Sequence, residues 1–353
     1  MKGLELCRLF YAEAVRPLLG DLPHAAARVG PGSDVLGFDS ARSTDHDWGP
    51  RLELFLRADD LRRRGADLSA LLSARLPKRF RGRSTHFASQ PGDKVRWMAD
   101  TDGPVAHYVT ITDVGTWCEQ RLGFDPLAGV TLLDWLATPW QRLAEVTGGA
   151  VFHDDLGDLT AVRRRLAWYP DDVWRYVLAS QWHRIGQEEA FVGRTAEAGD
   201  DFGSRLVAAR LAREAGRLLL LLGRRWPPYQ KWLGVAVAAE PAASRLADAL
   251  RAGGIGGREA GLCAAYEAAG AWQNRLGLAA SVPAVRRPYF DRPYLVIGAD
   301  RFADALMAAI GDAEVAALSP VGVADQAFDG EDALSRPDLR RAAMIVAHRL
   351  PAD

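Results

Sequence analysis

Leu4, Cys7, Tyr11, Ala14, Val15 and Leu18 recur at helical spacing, so the chain opens with an amphipathic helix that Pro23 ends. A short apolar run, Ala25 to Val29, stands before a Gly-Pro-Gly turn and predicts a strand. Gly32-Ser33 then opens a short helical or looped stretch to Asp39. From Arg51 to Leu56 charged and apolar residues alternate, the period of a half-buried strand. Ala58 to Leu76 reads as a charged helix. Phe80 to Ala88 and Val95 to Met98 read as strands separated by Gln90-Pro91-Gly92, and the β-branched run His107 to Thr112 reads as another. After Gly123-Phe124-Asp125-Pro126 the pattern changes. Ala-, Leu- and Arg-rich stretches of helical period follow: Leu132 to Thr147, Asp172 to Glu188, Ser204 to Leu222, Ala243 to Ala252, Glu259 to Leu276 and Phe302 to Ile310. Gly and Pro punctuate them. The expected organisation is an α+β domain over residues 1–125 followed by an all-α domain over 126–353.

Composition narrows this picture without naming a function. The 353 residues carry 44 Lys+Arg against 45 Asp+Glu, a formal net charge of -1. That balance argues against a protein that coats nucleic acid, which needs excess basic charge to release phosphate counterions. The three cysteines, Cys7, Cys118 and Cys263, are too few and too scattered for a disulfide framework or a Cys-rich zinc site, and suit a reducing cytoplasm. Glu5, Arg8, Glu13 and Arg16 interrupt Met1 to Leu19, so no signal peptide is expected there. The most apolar run, Leu218 to Leu222, is far below the ~20 residues that a bilayer span needs. A cytoplasmic location with no membrane partner is the expectation.

The chemistry concentrates between Gly30 and Leu56. Gly32-Ser33 follows a predicted strand, and Asp45-His46-Asp47 enters the next one. Residues i and i+2 of an extended segment share a face, so Asp45 and Asp47 would stand side by side. Paired carboxylates repel unless a cation lies between them. An oxygen-rich cluster with room for phosphates suits Mg²⁺. Gly32 lets backbone approach a ligand, while the Ser33 hydroxyl and nearby N–H groups can hold a phosphate oxygen.

A Gly-Ser followed about a dozen positions later by Asp-x-Asp resembles the signature of the nucleotidyltransferase superfamily related to DNA polymerase beta. The resemblance implies a nucleotidyltransferase-like fold for the first domain, with Gly32 and Ser33 on the triphosphate and Asp45 and Asp47 binding two Mg²⁺ ions. It implies transfer of a nucleoside monophosphate, AMP from ATP, to a hydroxyl of a small molecule or protein. The charge balance disfavours a nucleic-acid acceptor. Active members place a third carboxylate on a later strand. Here His107 to Thr112 holds no acid, and Asp113 at its end is the leading candidate, with a turn or cap as its plain alternative. In related antibiotic nucleotidyltransferases a helical domain closes the cleft and contacts the nucleotide. By that resemblance Arg194, Tyr229 and Lys231 join the nucleotide contacts, and Glu188 or Glu189 is a candidate base. Plainer readings are a solvated face or an ion pair with Arg194 for the acids, and a stem covering Trp232 for Lys231. Without a third acid, the same scaffold would be a catalytically degenerate nucleotide-binding or partner-binding protein.

A closer resemblance covers most of the chain. Gly32-Ser33, Gly37-Phe38-Asp39 and Thr44 to Pro50, with Trp168-Tyr169-Pro170, Gly186 to Glu189, Gly193-Arg194, Pro228 to Trp232 and Arg292-Pro293-Tyr294, resemble an uncharacterised bacterial family, the domain of unknown function 4037. Of the remaining residues, His46 alternates away from its neighbouring acids and His183 sits on a Trp-rich helix, so both read as packed or hydrogen-bonded. His153 with Asp154-Asp155 reads as a loop cap before a metal site. Asp200-Asp201 read as helix N-terminal acids, with Ser204 as the N-cap. Lys78 to Arg83 reads as a solvated basic loop, and the tryptophans as packing.

Overall fold

The structure is a computed structural model that describes residues 1–90, 92–93 and 95–350. Pro91, at the centre of the expected 90–92 turn, lies outside the described residues. The chain divides into two compact units, one formed by 1–130 with 142–167 and the other by 131–141 with 168–353. The protein is α+β, with a small mixed sheet and a largely helical C-terminal half.

The first unit is built on four strands: β1 (Ala25–Arg28), β2 (Arg51–Phe55), β3 (Tyr108–Thr112) and β4 (Ala150–Asp154). Their order is β3-β2-β1-β4. β1 runs antiparallel to both β2 and β4, and β2 runs parallel to β3. A parallel pair needs a crossover, and the helix Ala58–Arg75 lies within it. Leu6, Phe10, Leu52, Leu54, Leu72 and Val109 meet in one apolar core. The opening helix is interrupted, with α-helical Gly3–Phe10 giving way to a π-helical turn, Tyr11–Val15.

This connectivity gives the sheet two chemically distinct ends. The end of β1 and the starts of β2, β3 and β4 share one, since Arg28 pairs with Ala150, Ala27 with Glu53 and Arg51 with Tyr108. The start of β1 and the ends of β2, β3 and β4 share the other. We call these the loop end and the far end.

Three expectations about the strands change. β2 is buried on both faces, because its charged positions turn inward to partners and not to water. The sheet also draws a strand from 150–154, within the stretch expected to be all helical. The expected strands at 80–88 and 95–98 reduce to two small hairpin ladders, Arg79–Phe80 with Arg83–Ser84 and Phe87–Ala88 with Trp97–Met98. The basic run at 78–83 thus forms a hairpin, with Arg81 bonded to Glu13.

The second unit is a helical assembly whose long members are Asp171–Glu188, Asp201–Leu222 and Ile255–Leu276. Leu218 to Leu222 is buried inside it. No helix among the described residues is long and apolar enough to cross a membrane. The expected helix over 132–147 breaks into Leu132–Ala137 and Trp140–Thr147, on either side of Thr138-Pro139.

Candidate functional site

β1 ends on Arg28, a fully buried arginine, and the chain then turns through Gly30-Pro31-Gly32-Ser33. Arg28 Nε and Nη2 donate to the two oxygens of Asp34 at 2.7 and 2.8 Å, a bidentate pair. Its Nη1 donates to Val29 O and its Nη2 to Pro31 O. Glu53 in β2 accepts from Val29 N–H and lies 3.6 Å from Arg28. Arg51 Nη2 reaches Pro31 O at 3.0 Å and Asp34 at 3.5 Å. Burial opposes the charges on Arg28 and Asp34, but the pairing outweighs it: Glu53 and Asp34 hold Arg28 protonated, while Arg28 and Arg51 keep the Asp34 carboxyl below its ordinary value. Two arginines and two acids therefore brace the loop from beneath.

Gly32 has φ 150°, and a Cβ there would strike the Arg28, Asp34 and Arg51 side chains. The position requires glycine for both conformation and space. Arg121, from the helix Val114–Leu122, lies against Gly30, where a Cβ would be 3.2 Å from its Cζ. Its Nε is buried without a hydrogen-bond partner, and its guanidinium sits over Trp117. Burial lowers the pKa of Arg121, with Glu53 and Glu145 opposing. Sequence reasoning missed Arg121, Arg28, Asp34 and Glu53. Only the alternation of Arg51 and Glu53 hinted at them, and it pointed to water.

Asp45 and Asp47 are not on an extended segment. A 3-10 turn, Ala41–Thr44, runs into Asp45 at φ -72° and ψ -40°, and Asp47 is left-handed at φ 44°. β2 begins four residues later, so the expected side-by-side pair on one strand face is replaced by two acids on a turn. The turn is held by Ser40 and Ser43: Ser40 N–H donates to Ser43 Oγ and Ser43 N–H to Ser40 O, each at 3.0 Å. Asp47 N–H donates to Arg96 O, and Asp47 Oδ1 accepts from Arg96 N–H at 3.1 Å and from Tyr108 Oη at 3.0 Å. Asp45 is exposed, and its Oδ1 accepts from His46 N–H and faces His46 Nδ1 at 3.1 Å. His46 is hydrogen-bonded as expected, but its ring turns toward Asp45 and not away from it, because the segment is a turn and not a strand.

Because β1 and β2 are antiparallel, Gly32-Ser33 and Asp45–Asp47 both flank the loop end. Asp113 does not join them. It follows β3 at the far end, about five residues or ~17 Å along the strand from Tyr108. There it caps the helix Val114–Leu122 by accepting from Thr116 N–H at 2.9 Å.

In the helical unit, Arg194 lies over the Phe191 ring and Lys231 Nζ lies 5.0 Å over the Trp232 ring. Tyr229 is the N-cap residue of Gln230–Val237, and its N–H donates to Gln141. Glu188 pairs with Arg210, and Glu189 accepts three consecutive N–H groups, from Ile297, Gly298 and Ala299. Neither acid takes Arg194 as its ion-pair partner. Burial raises the Glu189 pKa. Asp200, not Ser204, caps Asp201–Leu222, because its carboxylate reaches Gly203 N–H.

A family model described as a domain of unknown function, DUF4037, matches residues 135–233. The match supports that family. It includes the Trp168 to Pro170, Gly186 to Glu189, Gly193-Arg194 and Pro228 to Trp232 segments, and does not include Gly32-Ser33 or Asp45 to Asp47. No curated protein matches the chain.

Proposed function

We propose that the first unit is a nucleotidyltransferase-like domain that binds a nucleoside triphosphate, ATP foremost, with Mg²⁺ at the loop end of its sheet. On this reading it moves the nucleoside monophosphate to a hydroxyl of a small molecule or protein. The strand register is the observation that carries the proposal: it brings a glycine-serine loop and two surface-turn carboxylates to one end of a mixed sheet. The Ser33 hydroxyl and loop N–H groups would hold phosphate oxygens, with Arg121 supplying positive charge beside Gly30. Asp45 and Asp47 offer hard oxygen donors on a turn, which fits Mg²⁺. Bound there, the ion would neutralise triphosphate charge and lower the pKa of the acceptor hydroxyl. Asp47 would do this while anchored by Tyr108 and Arg96, so its carboxylate is already positioned.

The far-end position of Asp113 favours a second reading, triphosphate binding without transfer, because no third acid is thereby added to Asp45 and Asp47. One experiment separates the two. ATP labelled at the α-phosphate is incubated with the full chain and Mg²⁺, and both bound label and released pyrophosphate are measured, with Asp45→Asn and Asp47→Asn as controls. Pyrophosphate release abolished in both variants supports transfer. Binding without release supports the second reading. Absence of any binding sinks both.

A further inference from the structure

At the far end of the sheet, remote from the nucleotide loop, His24, His153 and Asp155 converge. One nitrogen of each imidazole and one carboxylate oxygen lie within 4.8 Å of one another. His24 is buried just before β1, while His153 lies in β4 and Asp155 immediately after it. The two rings sit 4.6 Å apart, and Asp155 N–H donates to His24 O. We propose that these three side chains bind one zinc ion per chain.

The donor set decides the metal class. Two imidazole nitrogens and one carboxylate oxygen suit a borderline ion such as Zn²⁺ and not Mg²⁺, which prefers oxygen. The orientation of His24 is already that of a ligand. Leu22 O accepts from His24 Nδ1–H at 2.7 Å, which leaves the lone pair on Nε2. Tyr11 Oη donates to that Nε2 at 2.9 Å in the metal-free chain, and its hydroxyl turns away when the lone pair passes to zinc. His153 Nε2 lies 2.7 Å from Asp155 Oδ2, joined through the imidazole proton. Zinc takes the place of that proton, which moves to His153 Nδ1, and the pair opens to admit the ion.

Two backbone irregularities meet at this cluster. Tyr11 begins the π-helical turn in the opening helix, and the β1–β4 ladder shifts register between Ala26 and Ala27, opposite His153. Such insertions re-aim side chains and concentrate where a site is built. Asp155 is half exposed, so the ion reaches the site from solvent and keeps a position open to water.

The test uses the full chain stripped by chelator and titrated with Zn²⁺ by calorimetry in excess Mg²⁺. One Zn²⁺ per chain is expected, with a raised melting temperature. His153→Ala and Asp155→Asn, each checked for native circular dichroism, are expected to weaken binding by at least about 10-fold. Asp155→Asn preserves size and serves where the histidine variant fails to fold. No saturable zinc binding, binding unchanged in the folded variants, or full displacement by Mg²⁺ would each overturn the proposal.

Discussion

Arg28 and Gly32 show how single residues carry the loop end. Arg28 is buried and satisfied only by Asp34, Glu53 and loop carbonyls. Removing it leaves Asp34 with only the longer Arg51 contact and takes the nearby charge from buried Glu53, so Arg28→Ala is expected to cost about 3–5 kcal/mol in urea unfolding. Gly32→Ala places a methyl group among three charged side chains at a backbone angle that favours glycine. We expect a loss of about 2–4 kcal/mol, together with weakened nucleotide binding. Asp47→Asn separates structure from chemistry. Its amide oxygen still accepts from Tyr108 and Arg96, so stability changes by less than about 1 kcal/mol, whereas Mg²⁺-dependent turnover is expected to disappear. The glycine, the serine and both acids were visible in the sequence as a motif. Arg121 was not, because nothing local says that a helix far along the chain will lie against Gly30.

Among the elements, β4 is the informative case. Its five residues lie in helix-rich sequence, and all five are half-buried, so no alternation marks them. Pairing with β1 makes the strand, and Gly148-Gly149 delivers the chain to it. Gly149 has φ 62°, and a Cβ there would collide with Arg28 O. Gly149→Ala is therefore expected to loosen β4 alone, by about 1–3 kcal/mol. Hydrogen exchange would read this as faster exchange across the 25–28 and 150–154 ladder, with β2 and β3 less affected. β1 was legible from its apolar run before the Gly-Pro-Gly turn, β2 from its alternation and β3 from its β-branched run. What alternation misjudged was the outward face of β2: a period of two says that two faces differ, not that the charged one meets water.

For the molecule as a whole, the expected state of the cysteines can be measured. Cys7, Cys118 and Cys263 are free and buried, and burial pushes each thiol up to about 12. A thiol reagent at neutral pH is expected to count three cysteines only after denaturation. In the helical unit, burial raises the Asp325 pKa to about 6, opposed by Arg217 and by the Trp140 N–H it accepts. A carboxyl raised on folding contributes stability that is present below about pH 4 and lost as pH rises through about 6. Its size is about 3 kcal/mol. Asp325→Asn keeps an acceptor for Trp140 and does not titrate. Its stability relative to the parent chain is thus expected to grow as pH rises from 4 to 7, read from unfolding curves at each pH.

The sequence by itself determined the α+β character, the largely helical second half, most of the helices and the two short motifs that point to phosphate and metal chemistry. These are local: periodicity, turn residues and spacing within about thirty positions express them. The tertiary structure decided which end of the sheet each motif occupies, that Asp113 caps a helix away from Asp45 and Asp47, and that Arg28, Asp34, Arg51 and Glu53 neutralise one another out of water. It also brought His24 to His153 and Asp155 across more than a hundred residues. Strand direction and register settle such meetings, and they depend on which strands pair, a choice made by burial across the whole core and not by any segment alone.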